Sequence, residues 1–231
     1  MSFLGYLDGL TATGIILSSV IFGILSFYHA RKLGAKLLGV AGVMMILIGL
    51  LWLGPFIDFL LILFTGKNIS PTYVYTWLSY LWVAPAIVLA MYLGSELLYP
   101  ERKKILIVIY AILGIIFEYL IFLDNANTFT ITLNNPGQEP INSSFQRTSP
   151  AYFIIILFLI SVFIFEGIGF AIKAKQATGE IRKKFTYLSI AFIIFVVCGA
   201  LDSIIPLGVA IGVARAIMMS FSLFMYLGLK T

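Results

Sequence analysis

Four ionisable residues interrupt long apolar stretches of this 231-residue sequence: Asp58, Glu118, Asp202 and Arg215. Counted along the predicted helices, all four lie in the same half of a lipid bilayer. An unpaired guanidinium is costly at that depth, so we expect Arg215 to pair with either Asp202 or Glu118. Such a pair either fixes only the register of its helices or forms the floor of an outward-facing polar cavity that binds a ligand.

Aromatic residues of the third apolar stretch are candidates either for a wall of this cavity or for an interfacial belt. Tyr73, Trp77 and Tyr80 follow the i, i+4, i+7 spacing that places side chains on one face of a helix. We interpret them, with Tyr75, as an aromatic wall of the ligand site. The alternative is an interfacial belt, because aromatic residues also concentrate where a span meets the membrane surface.

Common catalytic motifs are absent from the sequence. It has no HExxH zinc motif, no Gly-x-Ser-x-Gly elbow and no glycine-rich phosphate or dinucleotide loop. One His and one Cys cannot supply three nitrogen or sulfur ligands to a catalytic zinc. No lysine lies in the middle of a predicted span, which excludes a covalently bound retinal. We therefore expect a protein that is not an enzyme and that holds no metal or cofactor.

The elements that must position these residues are membrane-spanning helices. Apolar residues make up 61% and charged residues 11% of the chain, whereas soluble domains have about 45–50% and about 25%. Seven tracts are long enough to cross a bilayer core of about 30 Å. The prediction is an all-α integral membrane protein with one seven-helix domain over residues 1–231. Its predicted spans are 9–30, 37–64, 72–98, 104–124, 151–173, 184–206 and 208–229.

The distribution of Lys and Arg predicts the orientation of the bundle. Twelve of the fifteen basic residues fall in the loops after the first, third and fifth spans or at the C-terminus. Cytoplasmic loops carry such an excess, so we expect the N-terminus outside and the C-terminus in the cytoplasm of a multi-pass plasma-membrane protein. The net charge of +5 is therefore a topology signal, and nucleic acid is not an expected partner. Arg182, Lys183 and Lys184 form the predicted docking surface for a cytoplasmic partner or for anionic lipid headgroups.

Breaks and close contacts within the bundle are also predicted from the sequence. Pro55 and Pro206 are expected to interrupt the second and sixth spans and to act as hinges. Gly208 and Gly212 allow a neighbouring helix to approach closely, either within the chain or in a homodimer. The external segment 125–150 is either a small hairpin, with strands over 128–133 and 141–145, or an irregular polar loop.

Four short segments carry a resemblance to a known family. They are Leu51-Trp52, Trp82-Val83-Ala84-Pro85, the basic segment from Ala177 to Lys184, and Gly199-Ala200-Leu201-Asp202. With them, residues 9–229 resemble the seven-helix sensor region at the N-terminus of many prokaryotic histidine kinases. The resemblance implies helices that sense a ligand or the membrane and pass the signal through the last helix to a kinase. The 231 residues contain no kinase domain, so three alternatives stay open: a receptor that signals through a separate partner, a piece of a longer protein, or a relative with another role.

These observations together predict a receptor-like or sensor-like membrane protein. It would bind a small or lipidic ligand in the outward-facing cavity and signal to a cytoplasmic partner, with membrane lipids around the bundle. The predicted ligand site comprises Arg215, Asp202, Glu118, Asp58, Tyr73, Trp77 and Tyr80. The alternatives are a small-solute transporter of the plasma membrane and a non-catalytic membrane assembly protein.

Overall fold

Seven apolar helical spans make up most of the chain. The computed structural model describes residues 1–204 and 208–230, and within them seven helices are long and apolar enough to cross a membrane. The chain therefore forms a helical membrane bundle, as its composition predicts. In chain order the elements are α1 (Phe3–Leu33), α2 (Lys36–Gly49), α3 (Leu53–Thr65), α4 (Tyr73–Tyr80), α5 (Val83–Leu98), α6 (Lys103–Leu123), α7 (Asn125–Thr128), β1 (Phe129–Thr132), β2 (Asn142–Phe145), α8 (Pro150–Val162), α9 (Gly169–Gln176), α10 (Gly179–Ile204), α11 (Val209–Met218) and α12 (Ser220–Leu229).

Three spans are single helices and four are built from two helices in succession. The single ones are α1, α6 and α10, and the pairs are α2–α3, α4–α5, α8–α9 and α11–α12. The first span begins at Phe3 and not near residue 9, because the Ser2 side chain accepts a hydrogen bond from the Gly5 amide and caps the helix there. The sixth span begins at Gly179, so Arg182 to Lys184 lie on the first turns of α10 and not in a loop.

Prolines cause two of the helix breaks. Pro55 lacks an amide proton and its ring crowds the carbonyl group four residues earlier, at Leu51. The second span accordingly passes through a short 3₁₀ turn, Leu50–Trp52, before α3 begins. Pro85 has the same relation to Leu81, where α4 gives way to α5. The expected break at Pro55 is thus displaced by about one turn, and the expected hinge at Pro206 lies outside the described residues.

The spans pack as a closed ring. Each span contacts the next along the chain, and α1 packs against both α11 and α12, which closes the ring between the first and seventh spans. Small residues permit close approaches: a Cβ atom on Gly42 would lie 2.8 Å from the carbonyl oxygen of Gly23. Gly212 similarly faces Leu7 of α1. That face of the seventh span therefore packs against α1 of the same chain, which is one of the two uses predicted for Gly208 and Gly212. The outer surface of α6 is apolar and exposed, with Ile115 71% accessible, as expected for contact with lipid.

A β-hairpin lies over one end of the ring. Strands β1 and β2 pair antiparallel with Phe129 opposite Phe145, which settles the choice between hairpin and irregular loop. An isolated hairpin is marginal, but here the Phe129 and Phe145 rings pack on Tyr80 at 5.0 and 4.9 Å between centroids. We call this end of the bundle the hairpin end. The opposite end, where α1 finishes and α10 begins, is called the basic end because it carries Arg31, Lys32 and Arg182 to Lys184.

Candidate ligand-binding site

A buried charge cluster lies near the hairpin end, between the first, sixth and seventh spans. Arg215 donates from Nε to Asp202 Oδ1 at 2.6 Å and from Nη1 to Asp8 Oδ1 at 2.6 Å. A longer contact of 3.4 Å joins Nη2 to Asp202 Oδ2. The side chains of Asp8, Arg215 and Asp202 are 4%, 8% and 19% exposed. The expected pairing of Arg215 with Asp202 is present, whereas the second carboxylate, Asp8, was not predicted.

Glycines bring the first span close enough to form this cluster. A Cβ atom on Gly9 would collide with the Phe59 ring of α3, and one on Gly212 would lie 2.9 Å from Leu7. Because α1 can approach α3 and α11 so closely, Asp8 reaches the guanidinium of Arg215. Asp8 lies five residues after the start of α1, which corresponds to a depth of about 7 Å.

The charge cluster forms one end of an internal cavity of about 180 Å³. A single water molecule needs only about 10–15 Å³, so this space accommodates a small molecule. Its walls come from six of the seven spans and from β2. From Tyr80 to Ala90, both of which line it, the helical rise corresponds to about 15 Å.

The two ends of the cavity differ in chemistry. Near the hairpin the lining groups include Asp8, Asp202 and Arg215, together with Ser79 and Ser143. Towards the middle of the bundle the lining is apolar, and it includes Ala86, Ala90, Phe158, Val162, Phe192 and Phe195. A site with a charged end and an apolar body matches an amphiphilic molecule.

The predicted aromatic wall is only partly on the cavity. Tyr75 and Tyr80 line it. Tyr73 and Trp77 do not: their rings pack together at 4.6 Å, and the Trp77 indole donates to the carbonyl oxygen of Ile121 in α6. The i, i+4 spacing does place Tyr73 and Trp77 on one face, but that face meets the fourth span and not the cavity.

Asp58 is buried but belongs to the anchoring of the hairpin and not to the cavity lining. Its carboxylate accepts from the backbone amides of Ile69 and Ile141, both at 2.8 Å, and from Asn68 Nδ2 at 3.0 Å. The Asn68 side chain also contacts the hairpin segment, through Glu139 and Gly137. Asp58 therefore holds the α3–α4 loop and the start of β2 together.

Two glutamates are separate from the cluster. Glu118 projects from α6 towards Ala84, and the fourth span contributes nothing to the cavity lining among the described residues. It is therefore not a partner of Arg215. Glu166 is fully buried in the π-helical turn Phe163–Ile168, and neither of its carboxyl oxygens has a hydrogen-bond partner within the described residues.

The basic residues of α10 lie at the opposite end of the molecule from the charge cluster. Arg182 and Lys183 are exposed, and Lys183 makes a 3.4 Å surface ion pair with Glu180. Exposed pairs of this kind contribute little to stability. These side chains are therefore available for an external contact, which is the role the sequence predicts for them.

No family model matches this chain, and no curated protein matches it. The resemblance to kinase sensor regions accordingly stays a prediction.

Proposed function

We propose that this chain is a receptor-like seven-helix membrane protein that binds a small amphiphilic or lipidic ligand and signals to a cytoplasmic partner. One observation carries the proposal: the cavity between the spans has the Asp8–Arg215–Asp202 cluster at one end and an apolar lining at the other. Buried ionisable groups at membrane depth commonly mark ligand or ion sites.

The proposal includes an orientation. The basic end faces the cytoplasm and the hairpin end faces outwards at the plasma membrane, in keeping with the excess of Lys and Arg at the basic end. The charged end of the cavity is then the outer one. An amphiphile entering from outside or from the outer leaflet meets the charge cluster with its head and the apolar lining with its tail.

Signalling follows from the path of the spans that line the cavity. The fifth and sixth spans contribute Val162, Phe192 and Phe195 to the lining, and their other ends carry Lys173 and Arg182. The π-helical turn Phe163–Ile168 begins directly beyond Val162, and such turns are frequent at functional sites. A ligand that prefers one arrangement of these spans shifts the population of conformers at the basic end.

Binding is tested with decanol, using a variant that fills the cavity. Trp52 lines the cavity, so its fluorescence reports occupancy when Trp77→Phe and Trp82→Phe remove the other two tryptophans. We expect a saturable change with the protein in phosphatidylcholine nanodiscs and none with empty nanodiscs. Ala86→Phe, which occupies the apolar half of the cavity, should abolish it. The matched control is Val108→Phe on α6, where the side chain is 56% exposed and faces away from the bundle.

Signalling is tested by hydrogen–deuterium exchange of residues 173–184 with and without decanol. Altered exchange that disappears in Ala86→Phe supports coupling between the cavity and the basic end. Saturable binding with unaltered exchange contradicts the signalling half of the proposal. If decanol and its charged counterparts decyltrimethylammonium and decanoate all fail to bind saturably, the cavity has no ligand role, and the assembly function becomes the better explanation.

Glu166 favours transport as the second candidate function. It lies four residues beyond Val162 at the floor of the cavity, and its carboxyl group faces Gly94, which lies four residues beyond the lining residue Ala90. A buried carboxyl group with no partner in the described part of the chain, one turn below a cavity, is suited to a path that continues across the bundle. Uptake of a small solute into proteoliposomes, absent with Glu166→Gln and in empty vesicles, would favour transport over signalling.

A further inference from the structure

The charges on the cavity wall do not balance. Among the described residues that line it, the charged side chains are Asp8, Asp202 and Arg215. Their formal charges are two negative and one positive, which leaves one formal negative charge in excess in a region of low dielectric constant. An uncompensated charge in such surroundings is unfavourable, and a ligand of opposite charge would offset it.

Few N–H groups of Arg215 remain free to bind an anion, even counting only its partners among the described residues. Its Nε, Nη1 and Nη2 atoms all donate to carboxylates within the protein, and the Asp8 backbone carbonyl accepts a further contact from Nη1 at 3.3 Å. An anionic headgroup would meet a guanidinium already surrounded by acceptors and two carboxylates that repel it. The buried arginine is therefore not an anion site.

Asp202 is the group that a ligand can reach. Its side chain is 19% exposed against 4% for Asp8, and it lines the cavity. Among the described residues, its Oδ2 atom has only the 3.4 Å contact with Arg215, which leaves it acceptor capacity. Tyr75 and Tyr80 line the same end of the cavity, and the faces of aromatic rings attract cations.

We propose that the ligand is a cationic amphiphile, with an amine or quaternary ammonium head against Asp202 and an apolar tail along Ala86, Ala90 and Phe158. The head offsets the formal charge excess at the cluster, and the tail contacts the side chains that line the apolar half of the cavity. This inference rests on the proposed binding function and specifies its ligand class.

The test compares three probes with one alkyl chain and different heads: decyltrimethylammonium, decanol and decanoate. Each is titrated into the Trp52 reporter protein in phosphatidylcholine nanodiscs, with empty nanodiscs subtracted. We expect decyltrimethylammonium to bind tightest and decanoate weakest. Asp202→Asn leaves Arg215 paired with Asp8 and should weaken binding of the cation by about tenfold or more, a larger factor than for decanol, whose head carries no charge. The matched control is Asp124→Asn, outside the spans at the hairpin end, which should change none of the three affinities.

The outcomes separate the ligand class from the binding function. Saturable binding of all three probes with equal affinity, or tightest binding of decanoate, overturns the cationic ligand and leaves the binding function standing. A cation affinity that falls equally in Asp202→Asn and Asp124→Asn also overturns it. The absence of saturable binding by any probe overturns both proposals. If Asp202→Asn fails to fold, the order of the three affinities, measured on the reporter protein with Asp202 intact, decides whether the site prefers a cation.

Discussion

The carboxylate of Asp8 accepts a 2.6 Å hydrogen bond from Nη1 of Arg215, although 207 residues separate the two along the chain. This contact joins the first span to the seventh and lies where the ring of helices closes. Both side chains are almost fully buried. A charge-assisted hydrogen bond in such surroundings is strong, and its loss leaves an unpaired ion in a low-dielectric region. The cluster therefore contributes to stability as well as to the proposed ligand site.

The effects of substitutions in this cluster should be unequal. Arg215→Ala leaves two buried carboxylates without a counter-ion and is expected to lower the free energy of unfolding by about 3–5 kcal/mol. Asp202→Asn retains one ion pair, Arg215 with Asp8, and should lower the free energy of unfolding by clearly less. Denaturant unfolding in mixed micelles measures both, with the exposed Arg147→Ala as the control. Equal stability of Arg215→Ala and Arg147→Ala would show that the cluster is not structural.

Substitution of Asp58 should release the hairpin. Asp58→Ala removes the acceptor of the Ile69 and Ile141 amides, and an unsatisfied buried donor costs about 1–3 kcal/mol. We expect faster hydrogen exchange of these two amides and faster proteolysis within 133–140. Asp124→Ala at the same end is the control, since its carboxylate contacts only the exposed Asn127 side chain among the described residues. Unchanged exchange at Ile141 would contradict the anchoring role.

The sequence predicts the elements of the bundle better than it predicts their partners. Seven spans follow from seven apolar tracts, and the Arg215–Asp202 pair follows from two charges placed at similar depth. Asp8 is not among the predicted site residues because the predicted first span begins only after this charged residue, at residue 9. Ser2, a typical helix N-cap residue, was the signal that the helix begins earlier.

Periodicity indicates which residues share a face but not what that face meets. Tyr73 and Trp77 share a face as predicted, yet the neighbouring helix there is α6, with Phe122 against Trp77 at 5.3 Å between ring centroids. The backbone amides that bind Asp58 come from segments 11 and 83 residues away. Such partners depend on how the spans are arranged in the ring, which apolar tracts of similar composition do not encode locally.

Two glycines of α2 should respond differently to the same substitution. A Cβ atom on Gly42 would lie 2.8 Å from the Gly23 carbonyl oxygen, whereas one on Gly39 would meet only Ala30, at 3.4 Å. Gly42→Ala is therefore expected to destabilise the protein by about 1–3 kcal/mol through overpacking between α1 and α2. Gly39→Ala, three residues earlier, should be neutral or slightly stabilising because alanine favours the helix. Thermal unfolding of the two variants in the same detergent checks this, and equal melting temperatures would contradict the close approach.

Glu166 should prove dispensable for folding. Its carboxyl oxygens have no partner among the described residues, so its replacement by an apolar side chain of similar length removes an unfavourable burial. We expect Glu166→Met to be at least as stable as the wild type, and the exposed Glu101→Met to be unchanged, in thermal unfolding. A strong loss of stability would show that Glu166 has a structural partner and would weaken the case for transport.

Single cysteines should test the proposed orientation. The chain has one cysteine, the buried Cys198, so Cys198→Ala provides a background for Asn135→Cys in the hairpin turn and Thr178→Cys between α9 and α10. Both positions are exposed and lie at opposite ends of the bundle. Because the basic end is proposed to be cytoplasmic, a membrane-impermeant maleimide should label Asn135→Cys in intact cells and Thr178→Cys only after lysis. The reverse pattern would turn the charged end of the cavity towards the cytoplasm, and labelling of both in intact cells would contradict an odd number of crossings between them.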